Sequence, residues 1–331
     1  MAEGKGKAFE LEEEKGSEPL KRAFSFIFLG TGEFAAKVLA RLLELGASPS
    51  FVITSPDRPK GRGLKLLPTK VKRIAMTSGL PCAAEPKPNE DAFIDGVLEK
   101  AGRPDFILVS DYGFILSKRW LSLPKIAPLN IHPSLLPKYR GAAPIERCLM
   151  NCERETGLTI MVMDEGVDTG PIVLQERVRI KRNETGGELR ERLAPMGAEL
   201  ALSAMRELFG GKAKPRSQIG EPSYAPKIKK EELWIDWKGR AKDIACKVNA
   251  LSPSPGARTY FDSLYVKLLR ASYVRDVKGD PGEIIIARKR LFVAAARGGV
   301  EILELQPASG KPLKASAFVQ GRRPARARSG P

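Results

Sequence analysis

Two periods alternate along the first two-thirds of the chain. Ala23-Phe-Ser-Phe-Ile-Phe-Leu29 is a short run rich in β-formers, closed by Gly30-Thr31-Gly32. Behind that turn Phe34, Val38, Leu39, Leu42, Leu43 and Leu45 recur at helical spacing up to Gly46, which predicts a helix. Phe51-Val-Ile-Thr54 reads as a second strand. A strand, a glycine turn, a helix and a strand open an α/β unit with a parallel sheet. Helices are predicted near 69–78 and 89–99, and strands at 106–110 and 128–131. Beyond them come a helix from about Pro144, paired strands near 159–163 and 172–179, and a long helix from about 187 to 209.

The pattern then changes. Residues 210–230 are rich in Gly, Pro and Lys with few large apolar side chains, as a linker would be. A helix near 241–250 precedes five short β-like runs, at 258–261, 265–273, 283–286, 291–295 and 300–306. Turns such as Pro255-Gly256 and Gly279-Asp-Pro-Gly282 punctuate them, and strands at this spacing predict a small β-barrel. The expected organisation is a disordered extension (1–22), a catalytic domain (23–209), the linker, a barrel domain (231–321) and a basic tail (322–331).

A length of 331 residues suits two domains, and 42% hydrophobic with 29% charged residues excludes disorder throughout. No run of about 18 apolar residues is present, which argues against a membrane span. The N-terminus has no apolar core of the kind a secretory signal needs. Four cysteines, at 82, 148, 152 and 246, are too few and too scattered for a disulfide framework, so a reducing cytoplasm is expected. Cys148 and Cys152 have helical i, i+4 spacing but no further ligands, and read as buried thiols. The charge is uneven. Of a net +17, most falls in residues 208–331, with 25 Lys and Arg against 11 Asp and Glu. A basic module beside a nearly neutral one points to a polyanion-binding surface next to a site for something smaller.

The single histidine is the strongest local clue. His132 follows Asn130 by two residues, so on a strand both side chains share one face. The prolines and glycine of Pro133-Ser-Leu-Leu-Pro-Lys-Tyr-Arg-Gly141 end that strand, which places the pair where open α/β sheets hold their ligands. Met163-Asp-Glu-Gly-Val-Asp-Thr-Gly170 supplies Asp164 and Asp168, as turn residues or as a carboxylate that reaches and orients His132. With one His and no paired cysteines nearby, no zinc site is expected. Gly30-Thr-Gly-Glu-Phe-Ala35 partly matches a dinucleotide fingerprint, but Thr54-Ser55 stand where an acid would be needed. Trp234 and Trp237 fit core or interface packing better than base stacking.

Asn130-Ile-His-Pro-Ser-Leu-Leu-Pro137 together with Asp168-Thr-Gly-Pro171 resembles the signature of the 10-formyltetrahydrofolate-dependent formyltransferases. Ser55-Pro-Asp-Arg-Pro-Lys-Gly-Arg-Gly63, Tyr139-Arg-Gly-Ala-Ala-Pro-Ile145, Glu155-Thr-Gly-Leu-Thr-Ile-Met161 and Leu251-Ser-Pro-Ser-Pro-Gly-Ala257 are similar to the branch acting on methionyl-tRNA. The resemblance runs from about Phe24 to Arg323. It implies an α/β fold, with a Rossmann-like formyltransferase domain and a C-terminal OB-like barrel. It implies 10-formyltetrahydrofolate as formyl donor, the α-amine of initiator methionyl-tRNA as acceptor, no metal and a monomer. By motif, Asn130, His132 and Asp168 become the catalytic residues. Asn130 and a protonated His132 suit donation to a carbonyl oxygen that gains negative charge, and Asp168 suits proton removal from the amine.

The resemblance assigns the pterin pocket to Tyr112, Gly113, Phe114, Ile115 and Leu116, to Ser134, Leu135, Leu136 and Pro137, and to the turn at Asp164. Two positions depart from the family pattern. Asp111 stands where a small residue is common, and is expected to face solvent or cap a helix. Gly32 stands where proline is common. The basic loop with Arg58, Lys60, Arg62 and Lys65 is implied to grip the tRNA acceptor end, with Arg62 foremost. The alternative on the same catalytic domain is formyl transfer to a small amine, an amino sugar or nucleotide precursor.

Overall fold

The computed structural model describes residues 24–60 and 65–330. In chain order the first unit runs β1 (Phe26–Gly30), α1 (Glu33–Glu44), β2 (Phe51–Thr54), a hairpin of β3 (Arg58–Lys60) and β4 (Lys65–Leu67), then α2 (Lys70–Thr77), β5 (Cys82–Ala84) and α3 (Asp91–Ala101). It continues with β6 (Phe106–Ser110), α4 (Lys118–Ser122), β7 (Ala127–His132), α5 (Pro144–Met150), β8 (Glu155–Val162), β9 (Ile172–Arg179) and α6 (Gly186–Phe209). Its sheet has the order β5-β2-β1-β6-β7-β8-β9. The first five strands are parallel, and β8 and β9 are antiparallel additions. Strand order reverses between β1 and β6, so their C-terminal ends open the crevice in which such sheets bind ligands.

Every residue of β1 and β6 is buried, as expected of strands covered on both faces. On one face Phe28 and Leu108 pack with Leu39 of α1 and Leu193 and Ala198 of α6. On the other Ile27 and Ile107 pack with Ile94 of α3 and Trp120 of α4. A capping box of Thr185 and Glu188 starts α6. Small residues then bring α6 directly behind β7, where a Cβ added to Gly197 would lie 3.0 Å from Ile131.

The second unit comprises α7 (Ala241–Ala250), β10 (Ala257–Phe261), β11 (Leu264–Val274), β12 (Ile284–Ala287), β13 (Arg290–Ala294), β14 (Gly299–Pro307), β15 (Leu313–Lys314), α8 (Ala315–Gly321) and β16 (Ala327–Arg328). These strands form one antiparallel sheet of order β12-β13-β14-β11-β10-β16, with β15 on β14. Register shifts on β11 between Leu268 and Ala271 let it curl in the OB-like manner. The stretch read as a basic tail returns to this sheet. Ala327 is buried against β10, and Asp262 accepts the Ala325 and Arg326 amides.

The two units meet through specific contacts. Arg147 of α5 grips Glu232 at 2.6 Å and holds its carboxyl down at about 2. Arg270 of β11 pairs with Glu188 and donates to the Asn183 carbonyl. At the start of α6 only a glycine fits, because a Cβ on Gly186 would stand 2.3 Å from the Ala250 carbonyl oxygen.

One cysteine reading is corrected here. Cys148 is a buried thiol, pushed up to about 11 by its burial, but Cys152 is disulfide-bonded to Cys246 of α7. Helical spacing misled because α5 ends at Met150. Cys152 adopts a left-handed backbone, φ 54°, that turns its side chain towards the second unit.

Candidate active site

Parallel pairing with β6 and antiparallel pairing with β8 fix β7 on both sides, with Asn130 opposite Met161 and His132 opposite Thr159. Asn130 and His132 therefore project from one face of a strand that cannot shift. Pro133 ends the strand. The loop beyond is held by Thr159, whose hydroxyl donates to the Ser134 carbonyl at 2.7 Å and accepts from Gln175. Asp168 arrives from the β8–β9 connection, on a left-handed backbone with φ 54°.

Asp168 is the centre of the cluster. Its Oδ1 accepts the Asn130 side-chain amide at 3.2 Å, and its Oδ2 accepts the Gly141 amide at 2.8 Å. The same Oδ2 lies 3.5 Å from His132 Nδ1. His132 is buried, and its Nε2 faces the Tyr139 carbonyl oxygen at 2.9 Å. Both ring nitrogens thus face acceptors, and only a doubly protonated ring donates to both. A carboxylate, an amide and an imidazole held this way can donate to a developing oxyanion and accept a proton from an amine.

The remaining expected residues fall into three groups. Tyr112, Gly113, Phe114, Ile115 and Leu116 form the loop after β6. Leu116 enters the core, Ile115 is 80% exposed, and the Tyr112 and Phe114 rings lie 5.4 Å apart. Burial raises the Tyr112 phenol, whose hydroxyl has no partner among the described residues; neither has the buried hydroxyl of Ser110 at the end of β6. Ser134, Leu135, Leu136 and Pro137 form the loop after β7, where Leu136 packs on Met161 and Ile172. Asp164 caps its own turn, accepting Gly166 N and the Thr169 hydroxyl, and Lys118 joins this turn to the β6 loop through Glu165 at 2.9 Å. Arg58 and Lys60 pair with Leu67 and Lys65 across the β3–β4 hairpin. Arg62 lies outside the described residues, as does the extension expected over 1–22.

Asp111 caps α1. Its backbone oxygen accepts the Thr31 and Gly32 amides, and its carboxyl faces the Phe34 amide. Burial pushes that carboxyl up to about 6, against the opposing pull of Arg190. The residue as a whole keeps exposed area, whereas the carboxyl itself is enclosed against α1. The local enclosure, not the residue average, governs its ionisation.

Sequence reasoning missed a second set of site residues. Residues 213–225, read as linker, run back along the first unit. Gln218 donates to the Asp168 and Gly170 carbonyls, and Arg140 in turn donates to Gln218. Ala225 is fully buried against the Arg140 backbone. No motif marks Gln218; a polar side chain amid Gly, Pro and Lys carries no periodic signal.

Residues 23–205 match the family described as Formyl transferase, and residues 227–323 match its C-terminal domain. The chain belongs to the formyl transferase family. This formyl transferase is 43% identical over 301 residues to a methionyl-tRNA formyltransferase of Carboxydothermus hydrogenoformans, covering 90% of this chain and 96% of the relative. A methionyl-tRNA formyltransferase of Thermodesulfovibrio yellowstonii is 40% identical over 297 residues, with the same coverage of 90% and 96%. Among solved structures, an N-formyltransferase from Helicobacter canadensis, complexed with folinic acid and dTDP-3-aminofucose, superposes with TM-score 0.63. It is 18% identical, over 85% of this chain and 98% of that one. HypX from Aquifex aeolicus, complexed with tetrahydrofolic acid, superposes with TM-score 0.61 at 19% identity, over 89% of this chain and 47% of that one. These structures share the fold. No group of His, Cys, Asp and Glu among the described residues could hold a metal ion, and no described helix is long and apolar enough to cross a membrane.

Proposed function

We propose that this enzyme transfers the formyl group of 10-formyltetrahydrofolate to the α-amine of methionyl-tRNA. The observation that carries the reading is Asn130, His132 and Asp168 gathered on one carboxylate at the end of β7, in a chain of this family. The folate donor supplies an activated formyl carbonyl when bound. The site's chemistry fits it, because Ser110 Oγ and the Tyr112 hydroxyl are buried polar atoms without partners among the described residues, at the start of the β6 loop. That loop, Ser134–Pro137 and the turn at Asp164 would line the pterin.

Asn130 and His132 donate to the oxygen that gains charge. Asp168 holds both in place and receives the ammonium proton, directly or through one water. In the free enzyme the Asn130 amide and both His132 nitrogens are turned to protein acceptors. The 3.2 Å and 3.5 Å contacts to Asp168 are the weakest of these and the first to be exchanged for substrate.

The basic segment of Arg58, Lys60, Arg62 and Lys65 would hold the acceptor end of the tRNA. A cytoplasmic monomer completes the proposal, on the strength of the methionyl-tRNA formyltransferase relatives and not of cysteine usage, since Cys152 and Cys246 are disulfide-bonded. Transfer of labelled formyl from the folate to charged initiator tRNA tests it. Turnover of free amino sugars or nucleotide amines, with none on methionyl-tRNA, overturns it in favour of a small-amine transferase.

A further inference from the structure

Trp120 and Trp237 are core residues; the Trp237 indole donates to Thr259 Oγ1 at 3.1 Å. Trp234 differs. It is half-buried, bridges to Arg258 at the edge of β10, and stacks on Tyr260 with centroids 5.6 Å apart and planes 10° from parallel. Tyr265, directly opposite Tyr260 on β11, meets the two rings edge-on at 6.0 and 5.8 Å.

Strand alternation explains why these groups share one face. On β10 Ala257, Thr259 and Phe261 point inward, which leaves Arg258 and Tyr260 outward. On β11 Val266 and Leu268 are inward, and Tyr265 and Lys267 outward. Arg328 of β16 stands across from Tyr260, and Arg258 across from Lys267. Ion pairs within this unit run through Arg240, Arg270 and Arg290. Among the described residues Arg258, Lys267 and Arg328 have no acidic partner, and Arg258 Nε has no hydrogen-bond partner at all. Two cations paired across strands with no acid between them repel each other. The face therefore combines an aromatic platform with uncompensated positive charge.

We propose that this face is a base-stacking subsite for unpaired nucleotides of the tRNA, with Trp234 as the platform and Arg258, Lys267 and Arg328 neutralising the adjoining phosphates. The proposal rests on the tRNA reading above. Aromatic planes beside cations are what single-stranded nucleic acid needs, since every base has a π-face and every linkage a charge. Charge complementarity favours RNA over a protein partner, because the last third of the chain carries 25 basic against 11 acidic residues. The subsite also adjoins the catalytic unit. Glu232, two residues before Trp234, is held by Arg147 of α5, and the loop leading into α5 gives its Gly141 amide to Asp168. A helix of seven residues spans roughly 10 Å.

Trp234 is the one tryptophan of the three that is not buried, so its fluorescence reports on the face directly. Titrating the full-length enzyme with a single-stranded oligoribonucleotide of about eight nucleotides should quench that emission, and an RNA duplex of equal length should quench it far less. Trp234→Ala should raise KM for methionyl-tRNA by about 5-fold or more. It should leave kcat and KM for the folate unchanged, and Trp234→Phe should restore most of the affinity. Tyr265→Ala, read in the same assay, covers the case in which Trp234→Ala fails to fold. Equal quenching by duplex and single strand, unchanged KM in both alanine variants, or quenching that follows protein concentration alone overturns the proposal; the last result would make the face a contact between copies of this chain. Wild-type enzyme that is quenched by RNA yet never formylates methionyl-tRNA would remove the substrate reading and leave the stacking surface standing.

Discussion

Replacing Asp168 by Asn tests the centre of the site with almost no change in shape. The carboxylate accepts from the Asn130 amide and the Gly141 amide, and faces His132 Nδ1. Asparagine offers one acceptor oxygen and one NH2 in place of two acceptor oxygens. With its NH2 toward Gly141 a donor meets a donor; with its NH2 toward Asn130, that amide must turn over and direct its own NH2 away from residue 168. One enclosed N–H left without a partner costs about 1–3 kcal/mol of stability. The charge is lost as well. At 3.5 Å and an effective dielectric near 20, attraction between a carboxylate and an imidazolium is at most about 5 kcal/mol. Both groups are well shielded, with 4% and 13% of the side chain exposed, so solvent screens little of it. Asp168→Asn should therefore lower kcat for formyl transfer by about 10²- to 10⁴-fold, with KM for tRNA nearly unchanged. Single-turnover transfer of labelled formyl, alongside a thermal unfolding curve, separates the catalytic loss from the modest structural one. A variant that is folded and within tenfold of wild-type kcat refutes the role assigned to Asp168.

Two further outcomes follow from particular groups. Asp111 is pushed up to about 6 by burial, so its contribution to folding is full below the ordinary carboxylate range and is lost as pH rises through about 6. Asp111→Asn should raise the unfolding temperature relative to wild type most at pH 8, less at pH 5 and not at pH 3, and an equal shift at all three values refutes the linkage. The Cys152–Cys246 bond closes a loop of 94 residues between the two units. Denatured protein without reductant should show two reactive thiols, Cys82 and Cys148, and Cys152→Ser should cost about 2–4 kcal/mol of stability; four thiols before reduction refute the bond.

Much of the first unit was legible because its signals are local. The central strands are buried on both faces and read as apolar runs, and α1 and α6 carry clear helical spacing. Asn130 and His132 were legible for the same reason, since two residues on one strand share a face whatever the tertiary fold. Asp168 could be chosen over Asp164 only by resemblance, because a separation of 38 residues says nothing about a 3.2 Å contact. Short or edge elements escaped. The β3–β4 hairpin is three residues a side, β5 is three residues long, and β16 closes a sheet from within a stretch of arginines. Gln218 and Cys246 escaped for a further reason: each acts on a partner far away in sequence, and neither carries a periodic mark.

Gly32 and Asp111 show the same limit from another side. Along the chain they read as two unrelated departures from the pattern the resemblance implies. In the fold they occupy one volume. A Cβ built on Gly32 would lie 1.7 Å from Asp111 Oδ2 and 2.4 Å from its Cγ, so no residue with a Cβ can stand at 32 while that carboxyl holds its position. The two positions are therefore one packing unit, set where β1 and β6 diverge and the Thr31 and Gly32 amides meet the Asp111 carbonyl. Each residue permits the other: the missing side chain makes the space, and the carboxyl fills it and faces the first turn of α1. Neither position explains itself alone, which is why the coupling had to be read from distance rather than from order.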